Sequence, residues 1–117
     1  METDSRSRLL SDRREVEGAI RAATGQLAAL LSAQRDVAAD DEHDPEGPTV
    51  SLQRAEASAM LRQARQHLDE VDAALLRVEL GNYGVCENCG RDIPSARLEA
   101  RPYARRCVQC AAREERS

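Results

Sequence analysis

The 117-residue sequence contains no Trp, no Phe and no Lys, and its only aromatic residues are Tyr83 and Tyr103. Its apolar content comes mainly from Ala, Leu and Val, which suits long exposed helices better than a globular core. No apolar run approaches the length needed to cross a membrane, and the first residues, M-E-T-D-S-R-S-R, are polar. A cytoplasmic protein with no membrane contact is therefore expected. With Lys absent, Arg supplies every permanent side-chain cation, and the net charge is -4. Residues 1–80 carry ten Arg against sixteen Asp and Glu, giving -6, whereas residues 81–117 carry seven against five, giving +2. An acidic chain with no basic stripe and almost no stacking aromatics is poorly equipped to bind nucleic acid unaided. Direct sequence-specific DNA binding is not expected.

All four cysteines fall within one stretch, as Cys86-Glu-Asn-Cys89 and Cys107-Val-Gln-Cys110, with seventeen residues between the pairs. Each C-x-x-C can wrap a tight turn around a metal ion, so that both thiolates face it and nearby backbone N–H groups bond the sulfurs. Two such knuckles complete the closed tetrahedral shell of a structural Zn2+ site. Gly90, directly after Cys89, suits a knuckle that must turn through positive φ. Disulfides would need an oxidising compartment, and no secretory signal precedes the cysteines. A thioredoxin-like motif would need a βαβ setting, and strands are scarce. An iron–sulfur cluster also uses four thiolates, but two pairs at this spacing favour zinc. Four thiolates leave no open coordination position, and no nucleophile–base pair stands elsewhere. The metal is expected to hold the fold together, and no enzyme is expected.

From about Ser5 to Ala39 there is no proline, and Leu9, Val16, Ile20, Ala23, Leu27, Leu30 and Val37 follow steps of three and four, with Arg13 and Gln34 in the gaps. Such a seam wants a partner helix. Gly18 and Gly25 each weaken helix propensity by roughly 1 kcal/mol relative to Ala, so packing must hold the helix. Residues 40–49, D-D-E-H-D-P-E-G-P-T, break the pattern, because Pro45 and Pro48 forbid its continuation. Thr49 or Ser51 then caps a second helix to about Leu80, with a seam of Ala57, Leu61, Ala64, Leu68, Val71, Leu75 and Val78 that Leu76 and Leu80 widen. Two long helices joined by a short loop pack antiparallel, and at about 1.5 Å per residue each spans on the order of 45–50 Å. Gly81, Asn82 and Gly84 end the second helix.

The expected fold is mainly α: a long antiparallel coiled-coil hairpin over 1–80 with an acidic tip at 40–49, followed by a small four-cysteine, zinc-ribbon-like module over 81–117. Ile93, Pro94 and Leu98 would cover the ribbon, which has room for short hairpin strands, and Tyr83 and Tyr103 would complete its apolar cover. The chain from Cys110 onward suggests a short C-terminal helix or a frayed tail.

At G-N-Y-G-V-C-E-N-C-G-R-D-I-P-S-A-R-L-E-A-R-P-Y-A-R-R-C-V-Q-C the sequence resembles the DksA/TraR family of bacterial zinc-finger proteins. The matching features are G-x-Y-G-x-C, C-x-x-C-G, the run Arg97-Leu98-Glu99-Ala100-Arg101-Pro102 and the spacer between the cysteine pairs. The resemblance implies a transcription regulator that binds RNA polymerase directly as a monomer. Its coiled-coil tip would enter the secondary channel towards the catalytic Mg2+, with the globular end at the channel rim. The family tip carries aspartates spaced D-x-x-D, then one residue and an Ala. Here Asp41, Glu42 and Asp44 keep that aspartate spacing, while Glu46 stands where Ala would. Some members share a site for the alarmone guanosine tetraphosphate with the polymerase. Arg101 matches one of its basic residues, but Glu70 and Ala111 stand where those members carry Lys, so weak or absent alarmone synergy is expected.

Two further functions compete with polymerase regulation. A nucleic-acid-binding zinc ribbon would show a steep loss of DNA affinity with salt. A coiled-coil adaptor would use its seam to recruit another chain and would dimerise with concentration. Arg105 and Arg106, beside Cys107, are expected to offset the roughly -2 charge of a zinc tetrathiolate centre; contact with the polymerase rim or a phosphate is the alternative.

Overall fold

The heptad seams become two long helices. The computed structural model describes residues 2–40 and 47–116: α1 (Glu2–Asp40), α2 (Gly47–Leu80), α3 (Ser95–Ala100) and α4 (Val108–Arg116). Among the described residues there is no strand. The short strands expected in the ribbon are reduced to one isolated antiparallel bridge, Val85 with Asp92, because turns at both sides of the first cysteine pair leave no room to extend the ladder. α2 begins at Gly47, two residues before Thr49, and takes in Pro48. Proline is tolerated in a first helical turn, where its missing N–H would have had no partner.

The chain divides into two compact units. One comprises residues 1–14 and 68–117, the other 15–67. In the first, the start of α1 lies antiparallel on the end of α2. Leu9 packs with Val71, Ala74 and Val78, and one turn later in α1 Arg13 donates from Nε to Asp72 Oδ1 at 2.7 Å. That pair fills a gap in the apolar seam with a surface ion pair, which contributes about 0.5 kcal/mol at such exposure. Leu75, Tyr83 and Tyr103 pack around the cluster, so the tyrosines cover the helix core and not the ribbon. In the second unit the remaining lengths of α1 and α2 bury Val16, Ala23, Ala57 and Leu61.

Two seam expectations need correction. Leu76 and Leu80 do not widen the buried face; they are 54% and 68% exposed, because at 100° per residue both point away from Val71, Ala74 and Val78. Ala74, absent from the expected seam, is fully buried against Leu9. α2 then ends in a Schellman turn: Gly81 N–H donates to Val78 O at 3.2 Å and Asn82 N–H to Arg77 O at 3.1 Å, with Gly81 at φ 81°.

Candidate metal centre

The turn after α2 delivers the first cysteine pair. Cys86 N–H donates to Arg91 O at 2.8 Å and Gly90 N–H to Cys86 O at 2.9 Å, closing a loop around Cys89 that needs Gly90 at φ 77°. The second pair sits at the start of α4, where Ala111 N–H donates to Cys107 O at 3.0 Å. Between the pairs, α3 follows Pro94, which is exposed, while Ile93 and Leu98 pack beside Cys86, Cys107 and Cys110.

The spacer from 101 to 106 is held by its own carbonyls. Tyr83 Oη donates to Pro102 O at 2.7 Å, Arg77 Nη2 to Tyr103 O at 3.3 Å and Arg97 Nε to Arg106 O at 2.8 Å. Glu87 N–H, within the first knuckle, donates to Arg105 O at 2.9 Å. Partial burial pushes the Arg77 pKa down, and the nearby Glu87 carboxylate opposes that shift.

These ties bring the four sulfurs together. The ligand atoms of Cys86, Cys89, Cys107 and Cys110 all lie within 4.8 Å of one another, and Cys89 Sγ and Cys107 Sγ are 3.9 Å apart. A tetrahedral zinc centre with bonds of about 2.3 Å has sulfur–sulfur edges of about 3.8 Å, so the cluster fits the ion. Backbone N–H groups of Cys89 and then Cys107 stabilise the Cys86 thiolate and lower its pKa to about 6. The backbone N–H of Cys110 lowers that of Cys107. A hydrogen bond with Asn88 favours the Cys110 thiolate, but the neighbouring Cys107, burial, Cys86 and Cys89 together raise its pKa to about 11. A group of thiols pressed this close cannot all ionise without a cation among them. The site holds one structural Zn2+, and with four thiolates its coordination is closed.

Arg105 and Arg106 do not stand beside the cysteines simply as counter-charges. Arg106 Nε lies 3.2 Å from Glu87 Oε1, Arg106 Nη1 also meets Glu114 Oε2, and Arg105 Nε lies 3.9 Å from Glu87. These carboxylates come from the first knuckle and from α4, and the pairing has no sequence signature because it depends on the folded spacer. Glu70, Arg101 and Ala111, set apart by the resemblance, line one groove of about 230 Å³ together with Arg97, Arg105 and Arg106. The tip residues Asp41, Glu42, Asp44 and Glu46 lie outside the described residues. Among the described residues no helix is long and apolar enough to cross a membrane.

Residues 81–116 match the family described as the prokaryotic dksA/traR C4-type zinc finger. General stress protein 16O of Bacillus subtilis is 40% identical over 72 residues, covering 62% of this chain and 44% of its own. The RNA polymerase-binding transcription factor DksA of Caulobacter vibrioides is 50% identical over 52 residues, covering 44% of this chain and 37% of its own. The chain thus spans less than half the length of these relatives. The solved structure of transcription factor DksA2 from Pseudomonas aeruginosa aligns with 98% of this chain and 83% of its own, at 28% identity and a TM-score of 0.80. A zinc-finger match confined to the C-terminal third, where residues 81–116 carry a dksA/traR-type C4 zinc finger, is therefore joined by a fold likeness that also takes in both long helices.

Proposed function

We propose that the chain is a cytoplasmic, non-enzymatic transcription regulator that binds RNA polymerase directly, as a monomer. The hairpin of residues 1–80 enters the secondary channel, Asp41, Glu42, Asp44 and Glu46 lead it towards the catalytic centre, and the zinc module of 81–117 remains at the rim. The observation that carries this function is the likeness to a DksA2 transcription factor along nearly the whole chain, helices included. A zinc ribbon alone is shared by many unrelated activities, whereas the ribbon mounted on this pair of helices is not a generic scaffold. Relatives 50% and 36% identical over 52 and 69 residues are named RNA polymerase-binding transcription factors. Acids at the tip would meet the basic groups and metal ion of a phosphoryl-transfer centre. Glu46 adds a negative charge where family members carry a small apolar side chain, which bears on the sign of regulation more than on binding. Glu70 and Ala111, facing the same groove as Arg101, leave guanosine tetraphosphate short of cations.

A photo-crosslinker at Asp44 tests this directly. The zinc-loaded protein is irradiated with core RNA polymerase and the adducts are mapped by mass spectrometry. Adducts on the secondary-channel wall and catalytic-centre loops are expected. Absence of adducts, with no co-migration of the unmodified protein with polymerase, would remove polymerase as the partner and leave the zinc-pinned helices in search of another.

A further inference from the structure

The arginine groove is unusual in what already occupies it. Four guanidinium groups, those of Arg97, Arg101, Arg105 and Arg106, share its lining with two carboxylates, Glu70 and Glu114, for a balance of +2. The arginines are not equally engaged. Arg97 spends its Nε on the Arg106 carbonyl, and Arg106 lies between Glu87 and Glu114. Arg105 is 3.9 Å from Glu87 and remains exposed, and Arg101 is exposed with no side-chain partner among the described residues. Glu114 is carried on α4, whose register is fixed by Cys110 in the zinc shell, so the carboxylate is brought to Arg106 by the metal module itself.

A guanidinium fork recognises carboxylate and phosphate alike, so the rest of the lining decides between them. A polyphosphate carries more negative charge than the balance of +2 can match, and it would lie beside Glu70. A carboxylate that replaces Glu114 exchanges like for like and leaves the charge balance of the groove unchanged. A second carboxylate one or two residues along an extended segment then reaches Arg101 or Arg105, the arginines with capacity to spare.

We propose that this groove docks an acidic segment of a protein partner through its carboxylates, with Glu114 as the internal carboxylate that the partner displaces. The assignment rests on the partner-binding function proposed above and adds to it a second point of attachment, distinct in sequence from residues 41–46. Removing Glu114 therefore strengthens docking, the opposite of what loss of a merely structural ion pair does.

The test titrates the 15N-labelled, zinc-loaded full chain with hexaglutamate and, separately, with pyrophosphate, following the arginine Nε–H resonances. Hexaglutamate is expected to shift Arg101 and Arg105, Glu114→Gln to tighten its binding several-fold, and Arg101→Glu with Arg105→Glu to abolish it. Unchanged amide signals over 81–116 confirm that each variant keeps the zinc fold. No shift with hexaglutamate overturns the proposal, as does tighter binding of pyrophosphate, and an unchanged affinity in Glu114→Gln overturns the internal occupant. The same variants are then tested on core RNA polymerase. Wild-type binding that the double Arg variant leaves intact refutes the groove alone. Hexaglutamate binding with no wild-type binding to polymerase refutes polymerase alone.

Discussion

The unit that carries the cysteines and the unit of residues 15–67 are built from the same two helices, yet they are secured by different means. In the first, Leu9, Val71 and Ala74 are fully excluded from solvent, both tyrosines of the chain pack against them or their neighbours, and a tetrathiolate metal closes the next layer. In the second, the buried side chains are Val16, Ala23, Ala57 and Leu61, two of them alanines, with no aromatic residue anywhere in its sequence. Small seam residues allow close helix approach but remove little apolar area from water, roughly 25 cal/mol per Å². One unit is thus held by tertiary contacts and metal, while the other leans on the cooperativity of long helices.

The largest test of this contrast is metal removal. Chelation, or Cys110→Ser, is expected to collapse the amide spectrum of 81–116, because structural zinc supplies on the order of 10 kcal/mol of folding free energy in small modules. Amides of 15–33 and 49–67 should keep helical shifts. Equal loss in both regions would show that the second unit has no stability of its own.

Core truncation comes next. Leu9→Ala should cost about 3 kcal/mol in urea unfolding, since Leu9 is fully enclosed, and Leu61→Ala distinctly less. A Leu61→Ala cost equal to that of Leu9→Ala would erase the difference between the two units.

The smallest effect concerns protons. In the metal-free chain Cys110, with its pKa raised to about 11, keeps its proton through neutral pH, so zinc must displace it. Apparent zinc affinity should therefore rise between pH 7 and 9 by about ten-fold per pH unit for each proton released. Below the Cys86 value of about 6 a further proton competes, and the slope should steepen. A flat profile above pH 7, read by competition with a chromophoric chelator, would mean that the metal-free cluster is already ionised.

Much of this was legible in the sequence, because helix periodicity and cysteine spacing are local signals. Leu9, Val16, Ala23, Ala57, Leu61, Val71 and Val78 were all read from three-and-four steps and are all buried. Ala74 escaped because alanine is at home on either face of a helix, and only its contact with Leu9 assigns it. Leu76 and Leu80 misled for the converse reason: leucine near a seam is taken as core, although their angle on α2 turns them outward. At the metal centre the four ligands were evident, while the ties of Tyr83, Arg77 and Arg97 to the spacer carbonyls were not. Those bonds span 9 to 26 residues and target backbone, which carries no sequence signature.

The tied spacer has a consequence for the order of assembly. Each C-x-x-C is a local turn that can hold an ion with two sulfurs as soon as it forms, but joining the pairs means closing the seventeen-residue span between them. The donors that fold this span lie on the end of α2, in the turn that follows it, on α3 and in the first knuckle. Full coordination is therefore expected to follow helix formation: an ion picked up early would stay two-coordinate and exchangeable until Tyr83 and Arg77 draw the spacer into place.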